Sequence, residues 1–585
     1  MRQFFKFMFA SMFGFMLAGI LLLVILIGIL AGIASGESDS HEKPEKPSWL
    51  VMNLDEPISD RGDENPLRKL SSGTFSTEKS PGLYDICRTI QEAAEDKNIA
   101  GIFLLGGQIN TGMATAKEIR NTLKQFKKSG KKIWVYADVY SQSGYYLASV
   151  ADQIYLNPKG AMEVKGISSN LFFLKNALEK LDIQPQIIRH GKFKSAVEPF
   201  TEDHMSEANR LQIRTMQHSM WEILSKEISE SRKITRADFD RLCSNYTIRN
   251  AEDAKKNKLV DELLYYDQVL EKLKAIASDD DKPAFVSMNT YFHAVDENEK
   301  HEGSDRIAVI YAGGDIVDGK GDDNSVGGDT YAKLIREARK DKKVKAIVLR
   351  INSPGGSSLA SEVMWREINL AKKEKPVVAS MGDVAASGGY YIACDATEIV
   401  ANPLTITGSI GVFGLMFNAG DFFKNKIGIT FDTVKTHAFA DIGSQTRNLT
   451  EAERAIMQES VEEVYSTFTG RVADGRKIPL AIVDSIGQGR VWLGSDAKNL
   501  KLIDRFGGLQ EAIERAAKLA KLDSYRIREY PTEKNPVEKL LGSMDDDMTS
   551  KIMESKLGAL APAYRAYNRL LTQKGVLARM EFEFY

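Results

Sequence analysis

The sequence predicts an α/β protein in which one N-terminal transmembrane helix precedes two tandem repeats with parallel sheets and covering helices. One observation is an internal duplication, because the segment Asp138–Tyr146 (DVYSQSGYY) returns as Asp383–Tyr391 (DVAASGGYY). Another is the order of elements in both halves, where apolar strand-like runs alternate with stretches of helical periodicity. A long apolar run near the N-terminus predicts the transmembrane helix.

That apolar run extends from Phe7 to Gly36 without a charged residue and exceeds the roughly 20 residues that a membrane-spanning helix needs. A cleaved signal peptide has a shorter apolar region and a small-residue cleavage site. Arg2 and Lys6 precede the run, so the positive-inside rule places the N-terminus in the cytoplasm. We expect a single-pass anchor over residues 1–36 in the cytoplasmic (inner) membrane, with the rest of the chain in the periplasm or outside.

Residues 37–47 form a polar, proline-containing linker, after which the first repeat covers residues 48–276. Its predicted strands include Ile99–Leu105 and Lys132–Ala137, and they flank a helix over Ala114–Phe126. Parallel strands with an intervening helix are typical of an α/β unit.

Residues 277–305 carry acidic runs, and we expect them to be an exposed connector. The second repeat covers residues 306–525 and has the same order, with predicted strands that include Val344–Ile351 and Pro376–Ser380. The tail, residues 526–585, contains an amphipathic stretch near Lys551–Leu571. Docking of the tail on the body and contact with a partner both stay open.

The amino-acid composition argues against some classes of function. The formal net charge is -2, so the chain lacks the basic excess of a nucleic-acid-binding protein, and we expect no nucleic-acid partner. The cysteines Cys87, Cys243 and Cys394 are too few and too scattered for a disulfide framework or a clustered metal site. We therefore expect no metal and no cofactor.

Two glycine-rich segments of the second half could contribute to a catalytic site. In Ile351–Ser357 a strand ends at Gly355-Gly356 before a helix, which suits either an oxyanion hole made of backbone N–H groups or a simple turn. Ser387 follows a strand and has small neighbours, as a nucleophile on a tight turn requires, and the N–H of Gly388 could stabilise an oxyanion. Ser387 could instead be the N-cap of a helix.

A nucleophilic serine needs a base. Four histidines lie outside the polar linkers and the connector: His190, His204, His218 and His437. None has an orienting acid nearby in sequence, although sequence alone does not exclude an acid that the fold brings beside one of them. A buried lysine is the other known base for a serine, because an apolar site lowers its pKa. Lys194 lies among small and apolar residues, although a single lysine is usually only a surface charge.

Four segments together resemble the tandem-duplicated signal peptide peptidase A (protease IV) family: Lys194–Phe200, Asn352–Gly356, Ala386–Tyr391 and Gly408–Gly414. The resemblance implies a fold related to Clp protease and crotonase. It also implies a Ser/Lys dyad in which Ser387 is the nucleophile and Lys194 the general base. Ser409 would orient the lysine amine, and Gly388 would form the oxyanion hole with Gly355 or Gly356.

The resemblance further implies a membrane-bound homotetramer that degrades cleaved signal peptides and other apolar peptides. Residues 411–414 could offer an edge strand to an extended peptide. The active site should lie at the junction of the repeats, and neither half should be active alone. The sequence leaves open whether the dyad forms within one chain or between two chains. A crotonase-type acyl-CoA enzyme and a non-enzymatic membrane scaffold are the alternatives.

Overall fold

The structure is a computed structural model that describes residues 6–7, 11–21, 43–62, 79–298, 304–532 and 576–580. Most of the predicted anchor lies outside these ranges, and residues 11–21 form a helix with exposed side chains. Across the described ranges, no helix combines the length and the apolar character needed to cross a membrane. The amphipathic stretch near residues 551–571 also lies outside the described residues.

The first half alternates strands and helices. Its elements are, in chain order, β1 (Ser48–Asn53), α1 (Leu83–Glu95), β2 (Ile99–Leu105), α2 (Met113–Phe126), β3 (Lys132–Tyr140), α3 (Gln142–Ala148), β4 (Gln153–Met162), α4 (Lys175–Lys180), β5 (Gln184–Arg189), α5 (Glu198–Thr201), α6 (Glu207–Arg232), α7 (Arg236–Ser244), α8 (Ala251–Lys256), β6 (Glu262–Leu263), α9 (Tyr266–Lys274), β7 (Ser278–Asp279), β8 (Lys282–Pro283), β9 (Phe285–Ser287) and α10 (Met288–Asn298).

The second half follows the same plan. Its elements are β10 (Arg306–Gly313), β11 (Asp315–Val317), β12 (Ser325–Gly327), α11 (Gly328–Lys340), β13 (Val344–Ser353), β14 (Gly355–Ser357), α12 (Ser358–Lys372), β15 (Val377–Ala386), α13 (Gly388–Ala393), β16 (Glu398–Ala401), β17 (Ile406–Gly408), β18 (Phe413–Asn418), α14 (Gly420–Phe422), α15 (Glu451–Arg476), α16 (Leu480–Ile486), β19 (Val491–Leu493), α17 (Gly494–Asn499), β20 (Arg505–Phe506), α18 (Leu509–Ala520), β21 (Arg526–Tyr530) and β22 (Val576–Arg579).

Each half is built on a largely parallel sheet. In the first sheet the strand order is β6-β4-β3-β2-β1-β9, and all neighbours are parallel. In the second the order is β19-β17-β15-β13-β10-β21, and β16 and β20 extend it beside β15. Strands β2 and β13 are apolar runs buried on both faces, as helices covering a parallel sheet require. The prediction of two α/β repeats with parallel sheets is confirmed.

The segment predicted to be an exposed connector is part of the first repeat. Strand β9 pairs with β1, and α10 packs on α1. Tyr291 is fully buried, and its hydroxyl donates to Asp96 Oδ2 at 2.8 Å. The prediction is wrong for residues 284–295, because the apolar side chains between the acidic runs complete the sheet and cover its edge. The Asp279–Asp281 run is exposed, as predicted.

A third sheet joins the two halves in the order β12-β11-β14-β22-β18-β5. Strand β5 of the first repeat pairs antiparallel with β18 of the second over six residues. Two strands of the predicted tail also enter the fold, because β21 pairs with β10 and β22 pairs with β14 and β18. Described parts of the tail therefore dock on the body, and the second sheet extends beyond residue 525.

Helix α2 of the first repeat packs against β15 of the second repeat. Asp383, in β15, accepts hydrogen bonds from the backbone N–H groups of Ala114 and Thr115 at 2.9 and 3.0 Å, so it caps the start of α2. Arg350 of β13 is almost fully buried and forms ion pairs with Asp60 at 2.6 Å and with Glu118 at 3.2 Å. These contacts dock the halves through charged groups that water cannot screen.

Among the carboxyl groups of this junction, Glu118 has the most strongly shifted pKa. One oxygen accepts from Arg350, and the other accepts from the backbone N–H of Leu509 at 3.1 Å, at the start of α18. Burial raises the pKa of Glu118 from 4.5 to about 7, although the Arg350 charge opposes this shift. The folded chain therefore binds this proton more tightly than the unfolded chain does.

We predict that Glu118→Gln removes part of the pH dependence of stability. Stability from this group is greatest at low pH and falls as the pH rises from 4.5 to about 7, because the native state holds the proton that the unfolded state has lost. Between about pH 5 and pH 8, the wild type should lose about 2 to 3 kcal/mol more unfolding free energy than the variant. Urea unfolding at both pH values measures this difference.

The matched control for this test is Glu252→Gln, which neutralises an exposed carboxyl at the start of α8. It should follow the wild type at both pH values. Equal losses in the wild type and in Glu118→Gln would contradict the prediction.

Candidate active site

Ser387 lies at the carboxyl end of β15, immediately before α13. Its backbone has φ 55° and ψ -115°, a conformation that a non-glycine residue adopts only under strain. The hydroxyl makes no N-capping hydrogen bond to α13, so the residue is not an ordinary helix cap. A serine held on such a strand-to-helix turn is typical of nucleophile turns.

The Lys194 amine lies directly beside Ser387. Lys194 Nζ donates to Ser387 Oγ at 2.8 Å, to Ser409 Oγ at 3.0 Å and to the backbone oxygen of Ser409 at 3.2 Å. Lys194 is 1% exposed and Ser387 is 0% exposed, so this contact is inside the protein. The structure thus brings together, within one chain, three residues that the sequence analysis singled out.

The pairing of β5 with β18 brings Lys194 to the second repeat. The register continues past β5, because the N–H of His190 donates to the backbone oxygen of Val412 at 3.2 Å. The following residues are then held by the loop before β19, where Phe193 N–H donates to Gln488 O at 3.0 Å. Gly489 has φ 82°, and a Cβ there would lie 2.6 Å from Cβ of Lys194. Only glycine permits this approach.

A second layer of polar side chains holds the segment that carries Lys194. Gln212 of α6 donates to Ser195 Oγ at 3.0 Å, and it accepts from the N–H of Val491 at 3.2 Å. Glu198 is 1% exposed and accepts from Asn209 at 2.8 Å. The sequence analysis quoted the segment that contains Ser195 and Glu198, but it missed Gly489, Gln212, Val491 and Asn209. Their spacing forms no motif, because the contacts of Gly489 and Val491 form only when the two halves meet, and Gln212 and Asn209 lie on the separate helix α6.

The Gly355-Gly356 turn forms β14, which contacts α13, the helix that begins directly after Ser387. A Cβ on Gly356 would lie 1.9 Å from the backbone oxygen of Ile316 in β11, so this position excludes every other residue. Gly355 has φ 101°, and its N–H donates to Ser353 Oγ at 3.2 Å. Gly388 is the first residue of α13, directly after Ser387. All three predicted oxyanion glycines therefore belong to the turns around the serine.

The histidines considered as bases lie elsewhere. His190 does have a spatial acid, since its Nδ1 is 2.6 Å from Glu462, but its ring stacks on Tyr465 at a centroid distance of 3.6 Å. His204, His218 and His437 are exposed. Among the described residues, the Ser387 hydroxyl accepts its hydrogen bond from Lys194 and not from a histidine.

The cysteines are internal. Cys87, Cys243 and Cys394 are all buried and unpaired with one another, and burial raises the pKa of Cys87 to about 12. A thiol of this kind is not a nucleophile at neutral pH. Within the described ranges, no group of three or more His, Cys, Asp and Glu side chains could hold a metal ion.

The first repeat has a glutamine at the position that corresponds to Ser387. The Gln142 side chain accepts from the N–H groups of Lys165 and Gly166 at 3.0 and 2.9 Å, and it donates to Gly166 O at 3.0 Å. Gly166 corresponds to Gly411 of the second repeat. The glutamine therefore closes the loop that, in the second repeat, lies beside the lysine.

The geometry around Ser387 meets the requirements of nucleophilic catalysis. A hydroxyl on a strained turn is hydrogen-bonded to an amine, and the amine is held by a further hydroxyl and a carbonyl. Backbone N–H groups adjoin the serine, where charge would develop on a carbonyl oxygen under attack. Such a site suits acyl transfer.

Comparison with known proteins identifies the family. The family model of peptidase family S49 matches the chain twice, over residues 125–279 and 369–523. Protease 4 of Salmonella typhi is 37% identical over 525 residues, covering 87% of this chain and 84% of that protein. Protease 4 of Haemophilus influenzae is 36% identical and covers 80% and 78%. The chloroplastic serine protease SPPA of Arabidopsis thaliana is 32% identical and covers 92% and 78%.

These matches confirm the resemblance to signal peptide peptidase A and rule against both alternatives, the acyl-CoA enzyme and the non-enzymatic scaffold. With two copies of the family domain and with proteases as relatives over most of its length, the chain belongs to peptidase family S49 and is a serine protease.

Proposed function

We propose that the chain is a membrane-anchored endopeptidase that degrades cleaved signal peptides with a dyad of Ser387 and Lys194. The observation that carries the dyad is the buried 2.8 Å hydrogen bond from Lys194 Nζ to Ser387 Oγ. A lysine can act as a base only when it is uncharged, and removal from water disfavours the ammonium form.

In the proposed reaction the uncharged Lys194 amine takes the proton of Ser387 as Oγ attacks the peptide carbonyl. The N–H groups of Gly388 and of the Gly355-Gly356 turn stabilise the oxyanion. Lys194 then protonates the leaving amine, and an acyl-enzyme remains on Ser387. Water, deprotonated by Lys194, hydrolyses this ester and restores the serine. In this scheme Ser409 is a positioning residue, because its hydroxyl and carbonyl hold the amine toward Ser387.

The membrane anchor rests on the apolar run from Phe7 to Gly36 and on Arg2 and Lys6 before it. A cleaved signal peptide is an apolar segment that stays in the bilayer, so an enzyme anchored on the outer face of the inner membrane would meet it there. The homotetramer, the wider range of apolar peptides and the relation to Clp protease and crotonase stay predictions of the family resemblance.

We predict that Ser387→Ala and Lys194→Ala each abolish peptide hydrolysis, lowering kcat by at least about a thousandfold, since each removes a member of the dyad. Turnover of a fluorogenic peptide by the full chain measures this loss. The matched controls are Ser225→Ala, a buried serine of α6, and Lys192→Ala, an exposed lysine two residues from Lys194. Both controls should keep normal turnover, and near-normal turnover in either dyad variant would disprove the mechanism.

We predict that Ser409→Ala lowers kcat by about tenfold or more while KM changes little, because the amine loses a hydroxyl partner that fixes its direction.

In the wild type kcat/KM should rise with pH, since only the uncharged amine accepts the serine proton. Steady-state kinetics over a pH series measures both effects. A flat profile in the wild type would argue against Lys194 as the base.

The substrate class needs a test of its own. The full chain in lipid vesicles should degrade a synthetic signal peptide faster than a polar peptide of the same length, because the apolar segment partitions into the same bilayer. Mass spectrometry of the products measures both rates. Preferential cleavage of the polar peptide would contradict the proposed substrate while leaving the dyad intact.

A further inference from the structure

Ser387 and Lys194 are connected by a second path besides their own hydrogen bond. The N–H of Ser387 donates to the backbone oxygen of Gly408 at 2.8 Å, and Gly408 of β17 lies opposite Val491 of β19. Strand β19 is the edge of the second sheet, and in place of a further strand the N–H of Val491 donates to Gln212 Oε1 at 3.2 Å. The path therefore passes from the sheet of the second repeat to a side chain of the first.

The other end of the Gln212 amide holds both neighbours of Lys194. Its Nε2 donates to the backbone oxygen of Phe193 at 3.2 Å and to Ser195 Oγ at 3.0 Å. Lys194 lies between these two residues, and its Nζ reaches Ser387 Oγ at 2.8 Å. The contacts thus form a closed ring that runs through both members of the dyad. Because an amide group is planar, its oxygen and nitrogen keep a fixed spacing between β19 and the lysine segment.

Helix α6, which carries Gln212, is itself fixed to the lysine segment. Glu198 accepts from the N–H of Ser206 at 3.2 Å and from Asn209 Nδ2 at 2.8 Å, and Asn209 Oδ1 accepts from Gln212 Nε2 at 3.2 Å. Asn209 and Gln212 are 0% and 1% exposed, and the helix packs on β19. A buried polar network whose members all have partners is rigid and holds one arrangement. The direction of the Gln212 amide is therefore set before any substrate arrives.

The position of the lysine backbone depends on contacts of this kind. Lys194 lies outside the strands, and a single 3-10 turn over Ser195–Val197 follows it. Its long side chain has several rotatable bonds, so a shift of the backbone moves the amine away from the serine hydroxyl. Proton transfer needs the two groups at hydrogen-bond distance, and a misplacement of about 1 Å lowers the rate by about a hundredfold.

We propose that Gln212 is a positioning residue of the dyad, which keeps the Lys194 amine at proton-transfer distance from Ser387 by tying the lysine segment to β19. It acts through Lys194 and not on the reacting atoms. The proposal rests on the proposed function, because it assumes that the dyad does the chemistry. It deepens that function by adding helix α6 to the elements that build the site.

Steady-state kinetics of the full chain tests this role. Gln212→Met keeps the length and volume of the side chain but removes its hydrogen bonds. It should lower kcat for a fluorogenic peptide by about tenfold or more and leave KM within about twofold, because the substrate contacts stay in place. The matched control is Gln217→Met on the same helix, which breaks a 2.9 Å hydrogen bond to Ser169 Oγ and should keep the wild-type kcat. An unchanged kcat in Gln212→Met would overturn the proposal.

A serine-reactive fluorophosphonate separates positioning from loss of folded protein. Ser387 Oγ attacks the phosphorus atom, fluoride leaves, and Lys194 takes the hydroxyl proton. The end point of labelling counts folded sites, and the rate measures how well the serine is activated. Gln212→Met should reach the wild-type end point at a rate lower by about tenfold or more. A lower end point with an unchanged rate would mean that the substitution only unfolds part of the sample, and would refute a positioning role.

A double-mutant cycle with Ser195→Ala tests the path. Ser195 Oγ is one of the two groups that connect Gln212 to the lysine segment, so the two substitutions break the same link. The labelling rate of the double variant should stay within about twofold of that of Gln212→Met alone, since coupled residues are not additive. Losses that multiply would show two independent effects and would exclude the proposed path.

Failure of the proposed function has a different signature. A wild type that neither hydrolyses peptides nor reacts with the fluorophosphonate refutes the dyad, and the role of Gln212 with it. A wild type that does both, with Gln212→Met equal to it, refutes only the role of Gln212. A wild type that reacts with the fluorophosphonate but leaves signal peptides intact refutes the substrate class, and the labelling rates still decide whether Gln212 positions the lysine.

Discussion

The structure of the site depends on the burial of one amine. Lys194 Nζ is inside the protein, where a polar group without partners is costly, and its hydrogen bonds go to Ser387 and to two atoms of Ser409. All these acceptors come from the second repeat, while the lysine comes from the first. The amine therefore reaches these acceptors only when the two halves are docked, and the pairing of β5 with β18 positions the lysine segment.

The same requirement explains why the two copies diverged. Once one site is built from both halves, the second possible site in the first repeat has no chemical task. At its serine position Gln142 has taken a structural one, since its amide makes three hydrogen bonds to the backbone of Lys165 and Gly166. On the other side, Asp383 caps α2 and Arg350 pairs with Glu118 across the junction. Corresponding positions of the two repeats thus have different structural roles.

Sequence patterns predicted the repeats, their strands and the residues that meet at the candidate site, because strand periodicity and the Ser387 turn are local signals. They failed where a contact joins segments far apart in the chain. The acidic runs around residues 277–305 concealed the buried Tyr291, and nothing local to Val576–Arg579 indicates a strand that completes a sheet made by β14 and β18. Gly489 was missed for the same reason, since the lysine it accommodates is in the other repeat.

The central strand of the third sheet completes the sheet that joins the two repeats. A sheet that joins two repeats needs paired edges, because unpaired backbone groups inside a protein are costly. Strand β22 meets this requirement, because it spans only Val576–Arg579 and pairs with the edges of both β14 and β18. The short strand thus closes the sheet that joins the two repeats, and the ion pair of Arg579 with Asp315 adds a side-chain contact to this closure.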